Sequence, residues 1–104
     1  MKVKHFIEEK FLMFEFDEEI DEYTSGKIRK RTDYEIQRLM PKKVIFDFKN
    51  VGFMDSAGIG LILGRYKNIN SYGGNLELIN VKDSVKRIFE MSGMKKFIKE
   101  DKVS

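Results

Sequence analysis

The sequence has 104 residues, 41% of them hydrophobic and 36% charged, a length and balance that fit one globular domain spanning residues 1–104 with its own core. It contains no cysteine and a single histidine, His5, which excludes disulfides, thiolate chemistry and cysteine-based zinc sites. The net charge of +3 comes from 20 basic and 17 acidic side chains, so the cluster Lys27, Arg29, Lys30 and Arg31 reads as solvated surface and not as a nucleic-acid patch.

The opening stretch MKVKHFIEEK alternates charged and apolar residues and has no apolar h-region, so it is not read as a signal peptide. No apolar run approaches transmembrane length, and the default compartment is the cytoplasm. Residues 2–8 set Val3, His5 and Ile7 against Lys2, Lys4 and Glu8, the period of an edge strand. Residues 11–17 alternate again, with Leu12, Phe14 and Phe16 on one side and Glu15 and Asp17 on the other. The short gap Glu8–Lys10 predicts a hairpin between the two. Residues 22–39 predict a helix with Ile28, Thr32, Ile36 and Leu39 on one face and Asp21 or Thr24 available as its cap. Pro41 marks its end.

Residues 43–48 predict a third strand, with Val44, Phe46 and Phe48 on one side. Residues 56–70 form the best amphipathic helix, its stripe made of Ile59, Ile62, Leu63, Tyr66 and Ile69, and Gly73-Gly74 ends it. Residues 75–80 predict a fourth strand. A short helix capped by Asp83 or Ser84 runs to Met91, closed by Ser92-Gly93, and Phe97 and Ile98 are placed in a final short strand or turn. The order β-β-α-β-α-β-α predicts an α/β fold with a small, mixed, mostly parallel sheet of four or five strands. Its strands alternate instead of running continuously apolar, so the helices are expected mainly on one face.

Phe53-Met54-Asp55-Ser56-Ala57-Gly58-Ile59-Gly60 joins the third strand to the best helix. Chemistry in open α/β sheets gathers at the carboxyl ends of strands. A hydroxyl at Ser56 would sit at a helix N-terminus, where free N–H groups and the dipole favour an anion such as a phosphate. The plainer reading is that Asp55 and Ser56 simply cap the helix. Opposite the apolar stripe the wheel places Ala57, Gly60, Leu61, Gly64, Arg65 and Asn68. Glycines inside a helix and an outward leucine are unusual on a solvated face; a smooth docking surface accounts for them, and so does tight packing against a neighbouring loop, with the docking face preferred.

Other chemistries fit less well. Gly58-x-Gly60-x-x-x-Gly64 lies inside the helix pattern after a third strand, unlike a dinucleotide-binding loop. Ser56 has no nucleophile-elbow context, and His5 is far along the chain, so a hydrolase is demoted and His5 is read as structural. The acidic stretch Asp17, Glu18, Glu19, Asp21 lacks calcium-loop spacing, and no metal is assigned. A phosphorelay would need an acidic pocket around Asp47 or Asp55 and a distant lysine, which cannot be assigned.

With these residues in place, the chain resembles the anti-sigma factor antagonists of the STAS-domain family, most of all their sporulation members. The matching stretches are Phe53-Met54-Asp55-Ser56 with Gly58, Ile62-Leu63-Gly64-Arg65-Tyr66-Lys67, the turn Gly73-Gly74, and Val85-Lys86-Arg87-Ile88-Phe89-Glu90-Met91-Ser92-Gly93. The resemblance implies a transcription regulator that works by partner switching, without enzymatic activity or cofactor. Its unphosphorylated form would bind an anti-sigma factor that is an ATP-dependent serine/threonine kinase and free the sigma factor. Phosphorylation of Ser56 would end that binding, and a serine phosphatase would reset it, with no nucleic acid or membrane as direct partner. The contact surface implied is Asp21, Asp55, Ser56, Ala57, Gly58, Gly60, Leu61, Gly64 and Arg65.

The sequence departs from the family pattern where Ala57 replaces a second serine and where Glu18-Glu19-Ile20-Asp21 lacks a glycine. The stretch from Lys99 to Ser104 is shorter than in many members, so a final packing helix is expected to be missing or truncated. The alternative reading is a STAS module that senses a nucleotide or small ligand.

Overall fold

The period-2 alternation of the strands translates directly into the sheet. The computed structural model of the chain describes residues 1–94 and the backbone of residues 99–101. In chain order the elements are β1 (Lys2–Phe6), β2 (Phe11–Glu15), α1 (Ser25–Leu39), β3 (Lys43–Asp47), α2 (Ser56–Ser71), β4 (Asn75–Ile79), α3 (Asp83–Ser92) and β5 (Lys99–Asp101). The strands lie side by side in that same order, β1-β2-β3-β4-β5. β1 and β2 are antiparallel, and every later pairing is parallel. The expected placement of Phe97 and Ile98 lies outside the described residues.

Register aligns the apolar positions into rows across the sheet: Leu12, Val44 and Leu76 in one, Phe14, Phe46 and Leu78 in the next. These rows share one core with Ile28 and Ile36 of α1, Ile62 and Ile69 of α2, and Val85 and Phe89 of α3. The three helices therefore cover one face, as the alternation predicts. Phe14, Phe16, Phe46 and Phe48 interlock edge to face at 5.1–5.6 Å between ring centres. Full burial of each such side chain contributes about 1.5–3 kcal/mol. On the other face Ile45 and Asp47 are buried, while Met13, Glu15, Glu77 and Ile79 are half-buried. Ion pairs Lys4–Glu15 (2.8 Å) and Lys43–Glu77 (3.4 Å) bridge strands there.

β1 stops two residues before its alternation does. Ile7 is already in the turn, its carbonyl accepting from Lys10 N at 3.1 Å, and Lys10 adopts φ 55° to reverse the chain. His5 faces the helices, with Nε2 2.6 Å from Glu35 Oε2, so it is a structural histidine as the sequence reading has it. Glu35, on α1, is buried among polar partners, its other oxygen accepting from Arg38 at 2.9 Å. The turn after α2 uses Gly73 at φ 87°, a conformation that favours glycine.

Candidate functional site

The β3–α2 connection is fixed at several points. Asp47, at the end of β3, is buried, and its Oδ1 accepts from Lys49 N and from Asn80 Nδ2, both at 3.0 Å. Its carboxylate thus organises the loop. Ser84 at the start of α3 donates to Gly52 O at 3.2 Å. Further on, Ile20 and Met54 form an isolated parallel bridge, with Ile20 N donating to Phe53 O and Asp55 N to Ile20 O, both at 3.1 Å.

That bridge brings the β2–α1 loop against the start of α2, so Asp21 and Ser56 belong to neighbouring loops at one end of the sheet. Asp21 Oδ1 accepts from Tyr23 N and Thr24 N at 2.9 and 3.0 Å, and Thr24 Oγ1 reaches Glu19 O at 2.8 Å. Asp21 and Thr24 together shape the entry to α1, although Thr24, at the cap position, makes no side-chain cap bond. Glu18 pairs with Lys27 at 3.6 Å. Among the described residues no group of three or more His, Asp or Glu gathers as a metal site.

Asp55 is the N-cap of α2, with extended backbone and Oδ1 accepting from Ala57 N at 2.8 Å. Ser56 follows as the first helical residue and is exposed. Capping falls to the aspartate, and the serine hydroxyl stands at the positive end of a 16-residue helix. Gly58 is buried beneath: a Cβ there would lie 2.2 Å from Met54 Cγ and 3.1 Å from Ile20 Cγ2. Gly60 and Gly64 face open space, with nothing within 4 Å of a built Cβ.

Three residues of the expected contact surface are buried in the fold. Gly58 is buried, and Leu61 and Arg65 are only 5% and 9% exposed. The reason is that α1 packs along this side of α2. Leu61 joins the core, and Arg65 Nε lies 2.8 Å from Asp33 Oδ1 on α1. Ile59, Leu63 and Tyr66, read from the sequence as the inward stripe, are half-buried instead. Burial pushes the Arg65 guanidinium below its usual range, Asp33 opposes that shift, and nearby Arg29 adds to it. Between the two helices Ser25, Arg29, Ala57, Gly60, Leu61 and Arg65 line a cleft of about 330 Å³. Sequence reasoning missed Ser25 and Asp33, and took Arg29 only as part of a basic surface cluster, because no local pattern reveals a partner on another helix.

No helix among the described residues is long and apolar enough to cross a membrane. Residues 3–104 match the STAS domain. An anti-sigma F factor antagonist of Paenibacillus polymyxa is 42% identical over 80 residues, 77% of this chain and 68% of that protein. An anti-sigma-B factor antagonist of Bacillus subtilis (strain 168) is 38% identical over 50 residues, 48% of this chain and 46% of that protein. The solved structure of the anti-sigma factor antagonist SpoIIAA in its unphosphorylated form superimposes with a TM-score of 0.81 at 24% identity, covering 96% of this chain and 86% of that chain. The phosphorylated form of the Bacillus protein SpoIIAA gives 0.73 at 23% identity, covering 96% and 89%. With residues 3–104 matching the STAS domain, the chain belongs to the STAS-domain family, and anti-sigma factor antagonists are among its relatives.

Proposed function

We propose that this protein is an anti-sigma factor antagonist of the sporulation type, switched by phosphorylation of Ser56. Unphosphorylated, it binds an anti-sigma factor that is also a serine/threonine kinase, and the sigma factor is released. Phosphorylated, it lets go, until a serine phosphatase restores the hydroxyl. The serine is a substrate, and the chain itself catalyses nothing. The exchange takes place in the cytoplasm.

The observation that carries this reading is Ser56: exposed, first in α2, next to a capping Asp55, in a chain 42% identical to an anti-sigma F factor antagonist. Ala57, Gly60 and Gly64 beside it, with Asp21 from the adjoining loop, make up the contact surface. The phosphate adds a charge of about −1.5 to −2. The helix end favours it by roughly 0.3–2 kcal/mol, so the modified domain stays folded. Against a close-packed partner the same charge must be desolvated, at several kcal/mol unless it is paired, and every ~1.4 kcal/mol is tenfold in affinity.

The test is to incubate the protein with the anti-sigma factor of the same cell and ATP, map the product by mass spectrometry, and measure binding of wild type, Ser56→Ala and Ser56→Asp. One phosphate on Ser56 is expected, with wild type and the alanine variant binding alike. The aspartate variant is expected to bind about 100-fold more weakly. A phosphate elsewhere, or equal binding by all three, refutes the reading.

A further inference from the structure

The cleft between α1 and α2 is built around positive charge. Arg29 comes from α1 and Arg65 from α2, and Ser25 lies in the same lining, its hydroxyl held only by a long 3.5 Å contact to Glu22 O. Arg65 is largely buried, with 11% of its side chain exposed. Its Nε lies 2.8 Å from Asp33 Oδ1 as an ion pair without hydrogen-bond geometry, and both Nε and Nη1 are buried with no hydrogen-bond partner among the described residues. A buried guanidinium N–H without an acceptor is unfavourable. Asp33 faces Arg65, and burial together with Arg29 already disfavours the Arg65 charge. An acceptor-rich anion in the cleft would offset the repulsion between the two cations.

We propose that this cleft is a phosphoryl-binding site, in which the Arg29 and Arg65 guanidinium groups pair with a phosphate dianion and the Ser25 hydroxyl donates to it. Guanidinium groups match phosphate oxygens in geometry as well as charge. A volume of about 330 Å³ holds a phosphoryl group and part of what carries it. Gly60 lines the cleft and leaves open space where any other residue would place a side chain. Ser56 lies four residues earlier, one helical turn away on the same face, so its own phosphate is one source of the group. A soluble phosphate compound is the other. The first source rests on the reading of Ser56 as phosphoacceptor; the second does not.

Two arms test the site and separate the sources. In the first, unmodified protein is titrated with inorganic phosphate at fixed ionic strength, following the amide signals of Ala57 and Gly60 and the Arg65 Nε signal by NMR. Saturable shifts are expected, weakened about three- to fivefold in Arg29→Gln and lost in Arg65→Met. In the second, phosphoserine is installed genetically at position 56, and its second ionisation, ordinarily near pH 6, is followed by phosphorus NMR. The phosphate is expected to bind its proton about threefold less tightly in the otherwise unchanged protein than in Arg29→Gln. Arg29 is exposed, so that variant keeps the fold even if Arg65→Met does not.

Shifts in the first arm alone identify a soluble phosphate compound as the ligand, and a response in the second alone identifies phosphoserine 56. Both together mean the two share the site. No saturable shift in the first arm, with the same ionisation in both proteins of the second, overturns the proposal. Neither arm uses a kinase or an anti-sigma factor, so failure here leaves the partner-switching reading standing, and failure of that reading leaves the first arm valid.

Discussion

Gly58 and Gly60 sit two residues apart in α2, and the same substitution should have opposite effects at them. In Gly58→Ala the new Cβ would lie 2.2 Å from Met54 Cγ, 2.6 Å from Met54 Sδ and 3.1 Å from Ile20 Cγ2. Met54 is 2% exposed and Ile20 fully buried, so either the Met54 side chain or the first turn of α2 must shift within a packed core. Overpacking of this kind typically costs about 1–3 kcal/mol, and a contact this short belongs at the upper end. Alanine recovers up to about 1 kcal/mol of helix propensity, leaving a net loss of about 2 kcal/mol. At Gly60 nothing lies within 4 Å of a Cβ. Gly60→Ala therefore keeps the propensity gain and stabilises by up to about 1 kcal/mol. Urea unfolding followed by circular dichroism should place the two variants on either side of wild type, separated by about 3 kcal/mol. Equal midpoints, or a Gly58→Ala midpoint at or above wild type, would refute the packing argument.

Three further outcomes follow from the ion pairs and the cap. Burial raises the Glu35 pKa, but hydrogen bonds from Arg38 and His5 outweigh it and hold the carboxyl below its ordinary 4.5. A depressed folded-state pKa supplies stability that is present above the unfolded value and lost as pH falls through the folded one. Wild type should therefore lose stability below about pH 4.5, and Glu35→Gln should show a flatter acid limb in thermal melts at stepped pH. Asp33→Asn strips the buried Arg65 cation of its counter-charge and should cost about 1–3 kcal/mol, whereas Arg65→Met removes the charge itself and should cost less. Denaturant midpoints that reverse this order would contradict the account of Arg65. Asp55→Ala deletes the bond to Ala57 N and should cost about 0.5–2 kcal/mol, read as a lower melting temperature.

What the sequence disclosed follows from periodicity. Leu12, Phe14 and Phe16, and Val44, Phe46 and Phe48, alternate cleanly, and all six are fully or almost fully buried. Glycines at 73 and 93 mark the ends of α2 and α3 because only a few residue types accept positive φ there. Ser56 was legible as a candidate because a hydroxyl after a strand and before a helix is a local pattern.

The inward face of α2 was not local. The helix wheel favours Ile59, Leu63 and Tyr66, but α1 packs on the side bearing Leu61 and Arg65. A charged residue reads as surface until its partner is known, and Asp33 lies on another element. Glu35 was hidden in the same way, since its ligands His5 and Arg38 come partly from a strand 30 residues away. For the same reason two arginines far apart in the chain gave no hint of a shared cleft.

The Ile20–Met54 bridge makes two loops into one mechanical piece, with a main-chain hydrogen bond running each way between them. Anyone exchanging segments with a relative to redirect specificity would have to transplant residues 17–24 and 50–58 together. A graft of either alone would pull Asp21 and Ser56 out of alignment and leave those amides and carbonyls mismatched.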